Sequence, residues 1–174
     1  LYQTMTFVET HDLSDQSNKD NLLYNLDTIY SRARNISQEN GYIETGLNFN
    51  SHLKEVMSDF NTETTNIIIN GLDTINWTLI DNTIKITVYR VIQELLVNMK
   101  KHSKSNLVVF SFEKNKDIMA IRYTDNGIGA NLEALNLKNG LQNVENRIKA
   151  INGTIIFDTT SNRGFKVNIS FPIK

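Results

Sequence analysis

A first cluster of polar residues has the spacing to present its side chains to a bound ligand. Glu94, Asn98 and Lys101 lie at positions i, i+4 and i+7, so on a helix they form one polar stripe. The apolar stripe of the same predicted helix lies beside it, and polar groups at the edge of a buried face can face a cleft. An amide oxygen such as that of Asn98 suits Mg²⁺, which bridges phosphate oxygens. A solvated helix edge with ordinary polar pairs is the alternative for this stripe.

A second cluster combines a carboxylate with two closely spaced glycines. Asp125 ends an apolar stretch and is followed by Asn-Gly127-Ile-Gly129. A carboxylate only accepts hydrogen bonds, so Asp125 can accept one from the amino group of adenine and discriminate against guanine, which has a carbonyl there. The glycines permit close approach of the backbone to a flat ligand. A plain hairpin turn is the alternative, but the position of Asp125, 27 residues after Asn98 and 15 before Gly140, favours binding.

A third cluster begins a predicted helix at Asn139-Gly140-Leu141. A glycine at this point exposes backbone N–H groups and the positive end of the helix dipole to a phosphate. The loop-like segment before it, residues 129–139, is then a lid. Asn143 and Arg147 lie further along the helix, and each is equally compatible with a role at the site and with an exposed helix surface.

The three clusters, in this order, resemble the N, G1 and G2 boxes of the GHKL ATPase superfamily, which includes gyrase, Hsp90, sensor histidine kinases and MutL. A Glu four residues before the Asn of the first box and a short lid are similar to the sensor histidine kinases that pair with LuxR-type response regulators. The resemblance covers roughly Asp81 to Pro172, with a weaker match upstream to Leu1.

The resemblance implies that ATP and Mg²⁺ are bound, and it assigns roles to the clusters. Asn98 would ligate Mg²⁺, Lys101 would face phosphate, and Glu94 would take the position of a general base. The resemblance places the other nucleotide contacts at His102, Asp125, Gly127, Gly129, Gly140, Leu141 and Asn143. For His102, a packing role is as compatible with the sequence as a phosphate contact.

The implied activity is that of a protein histidine kinase. In this family the γ-phosphoryl group of ATP passes to a histidine on the dimerisation helix and then to an Asp of a response regulator, here of LuxR type, and the kinase is a homodimer through its helical bundle. The alternatives are an anti-sigma-type GHKL protein kinase, a gyrase-like ATPase and a degenerate nucleotide-binding scaffold. The heptad seam near the N-terminus and the short lid favour the histidine kinase over the first two.

The sequence departs from the family pattern at two places. Gly164-Phe165 stand where the family has Gly-Thr, whose hydroxyl helps to hold adenine through water. That contact must be absent or supplied elsewhere. The lid of about ten residues also has no F box, so no residue is assigned to ordering the γ-phosphate.

Residues 1–40 have the pattern of a helical hairpin. A heptad seam runs through Leu22, Leu26, Ile29, Ala33 and Ile36, and the same spacing relates Leu1, Met5 and Val8. The polar stretch 10–19 between them predicts a turn. We therefore interpret residues 1–40 as the C-terminal part of the dimerisation hairpin, and residues 41–174 as the catalytic ATP-binding domain.

His11 precedes an Asp, superficially like the His-Asp pair of a phosphoacceptor helix. The seam of the second helix starts at Leu22, which leaves no room for a helix and a turn after His11. We expect His11 to lie in the hairpin loop. The acceptor histidine is then expected to be missing, since the sequence opens without Met and in mid-pattern at Leu1.

The remaining elements are predicted without a regular βαβ order. Helices are expected over 49–60, from an N-cap at Asp81 to about His102, and over 141–151. Strands are expected over 65–69, 107–112, 118–123, 154–158 and 166–171. The fold class is therefore α+β, a two-layer α/β sandwich of the GHKL (Bergerat) type, with helices on one face of a mixed sheet and a helical hairpin before it.

Composition excludes several other functions. The 174 residues carry a net charge of −1, so no broad basic field points to nucleic acid. The absence of Cys excludes disulfides and thiolate catalysis, and three scattered His do not suggest a metal cluster. No apolar run reaches the length of a membrane span. We expect no membrane contact by this fragment and a cytoplasmic location, as the catalytic part of a bacterial kinase.

Overall fold

A computed structural model describes residues 8, 15–26, 29, 43–129, 139–160 and 163–173. The chain forms two compact units, residues 1–43 and residues 44–174. Among the described helices, none is both long enough and apolar enough to cross a membrane.

In the first unit, residues 16–26 are helical. The Asp15 carboxylate accepts a hydrogen bond from the Ser17 backbone N–H at 2.8 Å, which caps the first turn. The helix therefore begins inside the polar stretch that predicts a turn, because the cap outweighs the polar composition. Leu22 and Ile29 are half-buried, as the seam predicts, whereas Leu26 is 48% exposed. The other predicted hairpin positions, Leu1, Met5, His11, Ala33 and Ile36, lie outside the described residues, so the hairpin stays a prediction.

The second unit contains three α-helices and five strands among its described residues. In chain order these are α1 (Phe49–Ser58), β1 (Asn66–Asn70), α2 (Asn82–Asn98), β2 (Leu107–Asn115), β3 (Ile118–Asp125), α3 (Asn139–Ala150), β4 (Thr154–Thr159) and β5 (Phe165–Pro172). The strands form one sheet in the order β1-β2-β3-β5-β4. β1 is parallel to β2 and the other pairs are antiparallel. The predicted mixed sheet of an α+β sandwich is confirmed.

Alternate residues of the central strands are buried on one face of the sheet. On β3 these are Met119, Ile121, Tyr123 and Asp125, and the strands on either side bury Phe110 and Val167 in the same way. The opposite face is polar, with an ion pair of 2.7 Å between Arg122 and Glu113. Since side chains alternate along a strand, this pattern shows that the helices cover one face only. Asp125 belongs to the covered face.

The long helix α2 begins where the sequence predicts it. The Asp81 carboxylate accepts a hydrogen bond from the Thr83 backbone N–H at 2.7 Å, and the predicted apolar stripe is buried along the helix. After Asn98 the chain widens into a π-helical turn, Met99–Ser103, which ends at Lys104 in the left-handed region (φ 53°). The single α-helix predicted to about His102 is therefore wrong in its last turn. The wider turn carries Ser103 inward, where it is 7% exposed and bonds a buried carboxylate.

The structure also differs from the prediction at the β2–β3 turn and at the end of α3. β2 and β3 continue further than the apolar residues do, so that only residues 116–117 form the turn, with Lys116 at φ 52°. α3 ends at Ala150, and the left-handed residue after it is Asn152 (φ 57°) rather than Gly153. Backbone pairing across the sheet extends the strands beyond their apolar pattern.

We predict that Asp81→Ala lowers the urea midpoint of unfolding, because the first turn of α2 loses its cap. Asp81→Asn keeps a side-chain acceptor and is the matched control. The hydrogen bond from Thr83 lowers the pKa of Asp81 from its usual 3.8, so the stability due to this carboxylate is present above pH 3.8 and is lost as the pH falls below it. An unchanged midpoint for Asp81→Ala at pH 7 would contradict the role of the cap.

Candidate functional site

The Asp125 carboxylate lies at the end of β3 and is 3% exposed. Its Oδ1 accepts hydrogen bonds from the Ser103 hydroxyl at 2.9 Å and from the Gly127 backbone N–H at 2.8 Å. Its Oδ2 accepts one from the Tyr123 hydroxyl at 2.6 Å. Each carboxylate oxygen has about two acceptor positions, so the described residues fill both positions of Oδ1 and one of the two on Oδ2. A donor from a ligand therefore has one place to bind, on Oδ2.

The Tyr123 hydroxyl donates to Oδ2, the same oxygen that has the open acceptor position. Burial raises the pKa of the Tyr123 hydroxyl above its usual 10.0, and the charge and hydrogen bond of Asp125 raise it further. The phenol is therefore neutral at physiological pH and always carries the proton it donates. Tyr123 and Ser103 are site residues that were not predicted from the sequence. The signal for Tyr123 was its position two residues before Asp125, which places both on one face of the strand.

The loop after Asp125 is held against the π-helical turn. A Cβ at Gly127 would overlap the backbone oxygen and the hydroxyl of Ser103, so no other residue fits this approach. The Ile128 backbone N–H also donates to the Ser103 carbonyl at 2.8 Å. Gly129 has φ 63°, which favours glycine. The loop is thus built by contacts with the end of the α2 segment.

Asn126 faces away from Asp125. Its Oδ1 accepts the backbone N–H groups of Asn106 and Leu107, each at 3.1 Å, and its Nδ2 donates to the Asn106 side chain at 2.7 Å. β3 pairs with β2, which precedes it in the chain, and with β5, which begins only at Phe165, so the Asp-Asn-Gly segment does not join β3 to either of these strands. The alternative of a plain Asp-Asn-Gly hairpin turn is therefore excluded.

Gly164 and Phe165 enter β5 beside the same carboxylate. The Gly164 N–H donates to the Gly127 carbonyl at 3.0 Å, and a Cβ at Gly164 (φ 74°) would overlap the Asp125 carbonyl. Phe165 is the direct partner of both Asp125 on β3 and Thr159 on β4. These three side chains therefore lie side by side on the covered face of the sheet.

The first and third polar clusters meet at the start of α3. The Asn98 Nδ2 donates to the Glu94 Oε1 at 3.3 Å, and both residues are half-buried. A Cβ at Gly140 would overlap the Glu94 Oε1 and lie 3.4 Å from the Asn98 Nδ2. Glu94 and Asn98 thus pack against α3, which does not fit the alternative of a solvated helix edge for these two residues.

The remaining predicted site residues occupy different environments. Lys101 and His102 lie in the π-helical turn and are exposed, so they do not continue the α-helical stripe of Glu94 and Asn98. The Leu141 side chain is 8% exposed and belongs to the core. Asn143 is exposed on α3.

The donors at this site fit a cation bound mainly by a ligand and by water. Within the described residues, no group of three or more His, Cys, Asp or Glu is arranged to hold a metal. Asn98 uses the nitrogen of its amide toward Glu94, so the oxygen is the end that can ligate a hard cation. Mg²⁺ typically takes one or two protein oxygens and completes its shell with phosphates and water.

No protein-family model matches the sequence. The chain is similar to the oxygen sensor histidine kinase NreB of Staphylococcus carnosus, with 29% identity over 180 residues, covering 95% of this chain and 50% of NreB. It is also similar to the signal transduction histidine-protein kinase/phosphatase DegS of Brevibacillus brevis, with 31% identity over 91 residues, covering 52% of this chain and 24% of DegS. The chain therefore spans half the length of NreB and about a quarter of DegS.

Solved structures show the same fold. The histidine kinase domain of the blue-light activated histidine kinase of Erythrobacter litoralis EL346 aligns with a TM-score of 0.58 and 15% identity, covering 72% of this chain and 65% of that domain. The Acinetobacter baumannii histidine kinase AdeS aligns with a TM-score of 0.58 and 13% identity, covering 99% of this chain and 93% of that chain. The predicted fold is that of histidine kinase catalytic domains.

We predict that Tyr123→Phe lowers the unfolding free energy at pH 7 by about 1–3 kcal/mol, because the buried Asp125 loses one donor. The difference from the unmodified chain should shrink above pH 10. There the unfolded chain releases the Tyr123 proton while the folded chain keeps it, so the unmodified protein loses about 1.4 kcal/mol per pH unit from this group and the variant does not. Urea unfolding between pH 7 and 11 measures both. Parallel stability curves above pH 10 would contradict the raised pKa.

Proposed function

We propose that this chain, which belongs to the GHKL sensor histidine kinases, binds ATP at Asp125 and is the catalytic part of a kinase that phosphorylates a histidine. The observation that carries the proposal is the buried Asp125 carboxylate, on whose Oδ2 one acceptor position is filled by no described residue. This is the arrangement needed to accept a hydrogen bond from one amino group. The sequence similarity to NreB and DegS supports the kinase activity, and a kinase uses ATP as its phosphoryl donor.

Asp125 is proposed to read the base. The amino group of adenine donates to Oδ2, whereas the carbonyl of guanine or hypoxanthine places a lone pair against the carboxylate. A site whose buried polar group is left unpaired by the wrong ligand discriminates strongly. Gly127 and Gly129 let the loop backbone lie close to the base. A larger residue at position 127 would also overlap Ser103, whether or not a base is bound.

The phosphate chain is proposed to lie at the junction of α2 and α3. The first N–H groups of α3, at Gly140 and Leu141, and the positive end of the helix dipole suit a phosphate group. Lys101, His102 and Asn143 are assigned to the same side of the nucleotide. The oxygen of Asn98 is the proposed protein ligand of Mg²⁺, which neutralises charge on the phosphates when it is bound.

Glu94 is proposed to assist the attacking imidazole by accepting its proton. Its carboxylate is held in place by the Asn98 amide and by the close approach of Gly140. Most of the rate enhancement in phosphoryl transfer comes from such positioning and from charge neutralisation. None of His11, His52 and His102 is proposed as the acceptor, so this chain is expected to bind nucleotide without phosphorylating itself.

The partners are proposed from the same sequence similarity to histidine kinases. The first unit, with its helical seam, is assigned to a homodimer interface, and a LuxR-type response regulator is assigned as the recipient of the phosphoryl group. The proposed location is the cytoplasm, which supplies ATP. The degenerate-scaffold alternative shares the pocket and differs in that it transfers no phosphate to an intact acceptor histidine.

We predict that calorimetry detects Mg²⁺-dependent binding of ADP and ATP to this chain, and that Asp125→Asn weakens binding by about 10- to 100-fold, the cost of a lost charged hydrogen bond. Asp117→Asn removes an exposed carboxylate from the β2–β3 turn and should bind as the unmodified chain does. Inosine diphosphate, which has a carbonyl in place of the amino group, should bind the unmodified chain as weakly as ADP binds the Asn variant. Equal affinities of the unmodified chain for ADP and inosine diphosphate would contradict base reading by Asp125.

A further inference from the structure

The ring of Phe165 occupies the position next to Asp125 on the covered face of the sheet. The two residues are direct partners across the β3–β5 pair, and side chains at such positions lie about 4.5–5.5 Å apart at Cβ. Val167, the next residue of β5 on that face, is fully buried, whereas Phe165 is half-buried. Along β5, the accessible part of this face therefore begins at Phe165, at the end of the strand that adjoins the carboxylate.

Neighbouring groups hold the Phe165 ring in place. Its centroid lies 6.3 Å from the Tyr123 ring, which meets it edge-on, and 6.0 Å from the Phe157 ring. The backbone before it is fixed by the Gly164 N–H bond to Gly127 and by the Thr159 hydroxyl, which donates to the Gly164 carbonyl at 2.8 Å. The ring is thus preorganised from both neighbouring strands.

We propose that Phe165 is the wall against which the nucleotide base packs, so that it contributes affinity for any purine base, while Asp125 determines which base is preferred. The inference rests on the proposed function of the Asp125 site. A phenyl ring has no hydrogen-bonding group, and contact between a base and an aromatic ring is tolerant of base identity, because every base has a π-face. Phe165 is then a functional residue of the pocket, and its replacement of the family's Thr does not indicate a degenerate nucleotide site.

The effects of substituting Phe165 and Asp125 on affinity should differ across a series of nucleoside diphosphates. Phe165→Ala should weaken ADP, inosine diphosphate and purine riboside 5′-diphosphate, which lacks the amino group, by the same factor of roughly tenfold. The ratio of the ADP affinity to the purine riboside diphosphate affinity should stay unchanged. Asp125→Asn should do the opposite, reducing that ratio with little effect on the purine riboside compound.

The experiment is calorimetry of the three diphosphates with Phe165→Ala, Phe165→Leu and the matched control Phe171→Leu. Phe171 lies on the same strand and the same face, at the far end from Asp125, so its substitution should leave every affinity within about twofold. Phe165→Leu keeps apolar volume without the π-face and should lie between the unmodified chain and Phe165→Ala.

A measurement on the unmodified chain covers the case in which the Ala variant does not fold. The Phe165 ring protons should shift in the NMR spectrum on addition of either ADP or purine riboside diphosphate, because a stacked base imposes a ring current. Unchanged affinities in the Phe165 variants, a changed affinity ratio, or unshifted ring protons would each overturn the inference. Failure of the unmodified chain to bind ADP would instead overturn the proposed function.

Discussion

The buried charge of Asp125 is the constraint around which the proposed site is built. A carboxylate that is 3% exposed must be satisfied by hydrogen bonds, because burial of an unpaired charge is costly. The three donors come from different parts of the chain, namely the π-helical turn after α2, the strand β3 and the loop that follows it. The need to satisfy this one buried charge therefore fixes the contact between the turn after α2 and the C-terminal end of β3.

The same requirement explains the local backbone. Ser103 reaches Asp125 from a turn that is wider than an α-helix, and Gly127 must lack a side chain because Ser103 occupies that space. π-Helical turns within helices are frequent at functional sites. At the other end of the proposed pocket, the half-buried Glu94 and Asn98 are held by the first turn of α3. A base at the sheet edge and phosphates at the helix start would thus be held by two separately supported sets of groups.

Much of this arrangement could be predicted from the sequence, because it depends on local patterns. The cap at Asp81 and the alternation that buries Asp125 beside Ile121 are properties of single elements. The parts that could not be predicted depend on contacts between distant segments. Nothing in the residues around Ser103 indicates a bond to position 125, and Phe165 becomes a neighbour of Asp125 only through the register of β3 and β5.

The most direct test of the central claim is to map nucleotide binding by the backbone amide shifts of the ¹⁵N-labelled chain on titration with Mg²⁺-ADP. We predict that the largest shifts are at Gly127, Gly129 and Gly140 and in Met99–Ser103, with the polar face around Arg122 unaffected. Shifts concentrated on that polar face, or no shifts at saturating ADP, would contradict a nucleotide site built on Asp125.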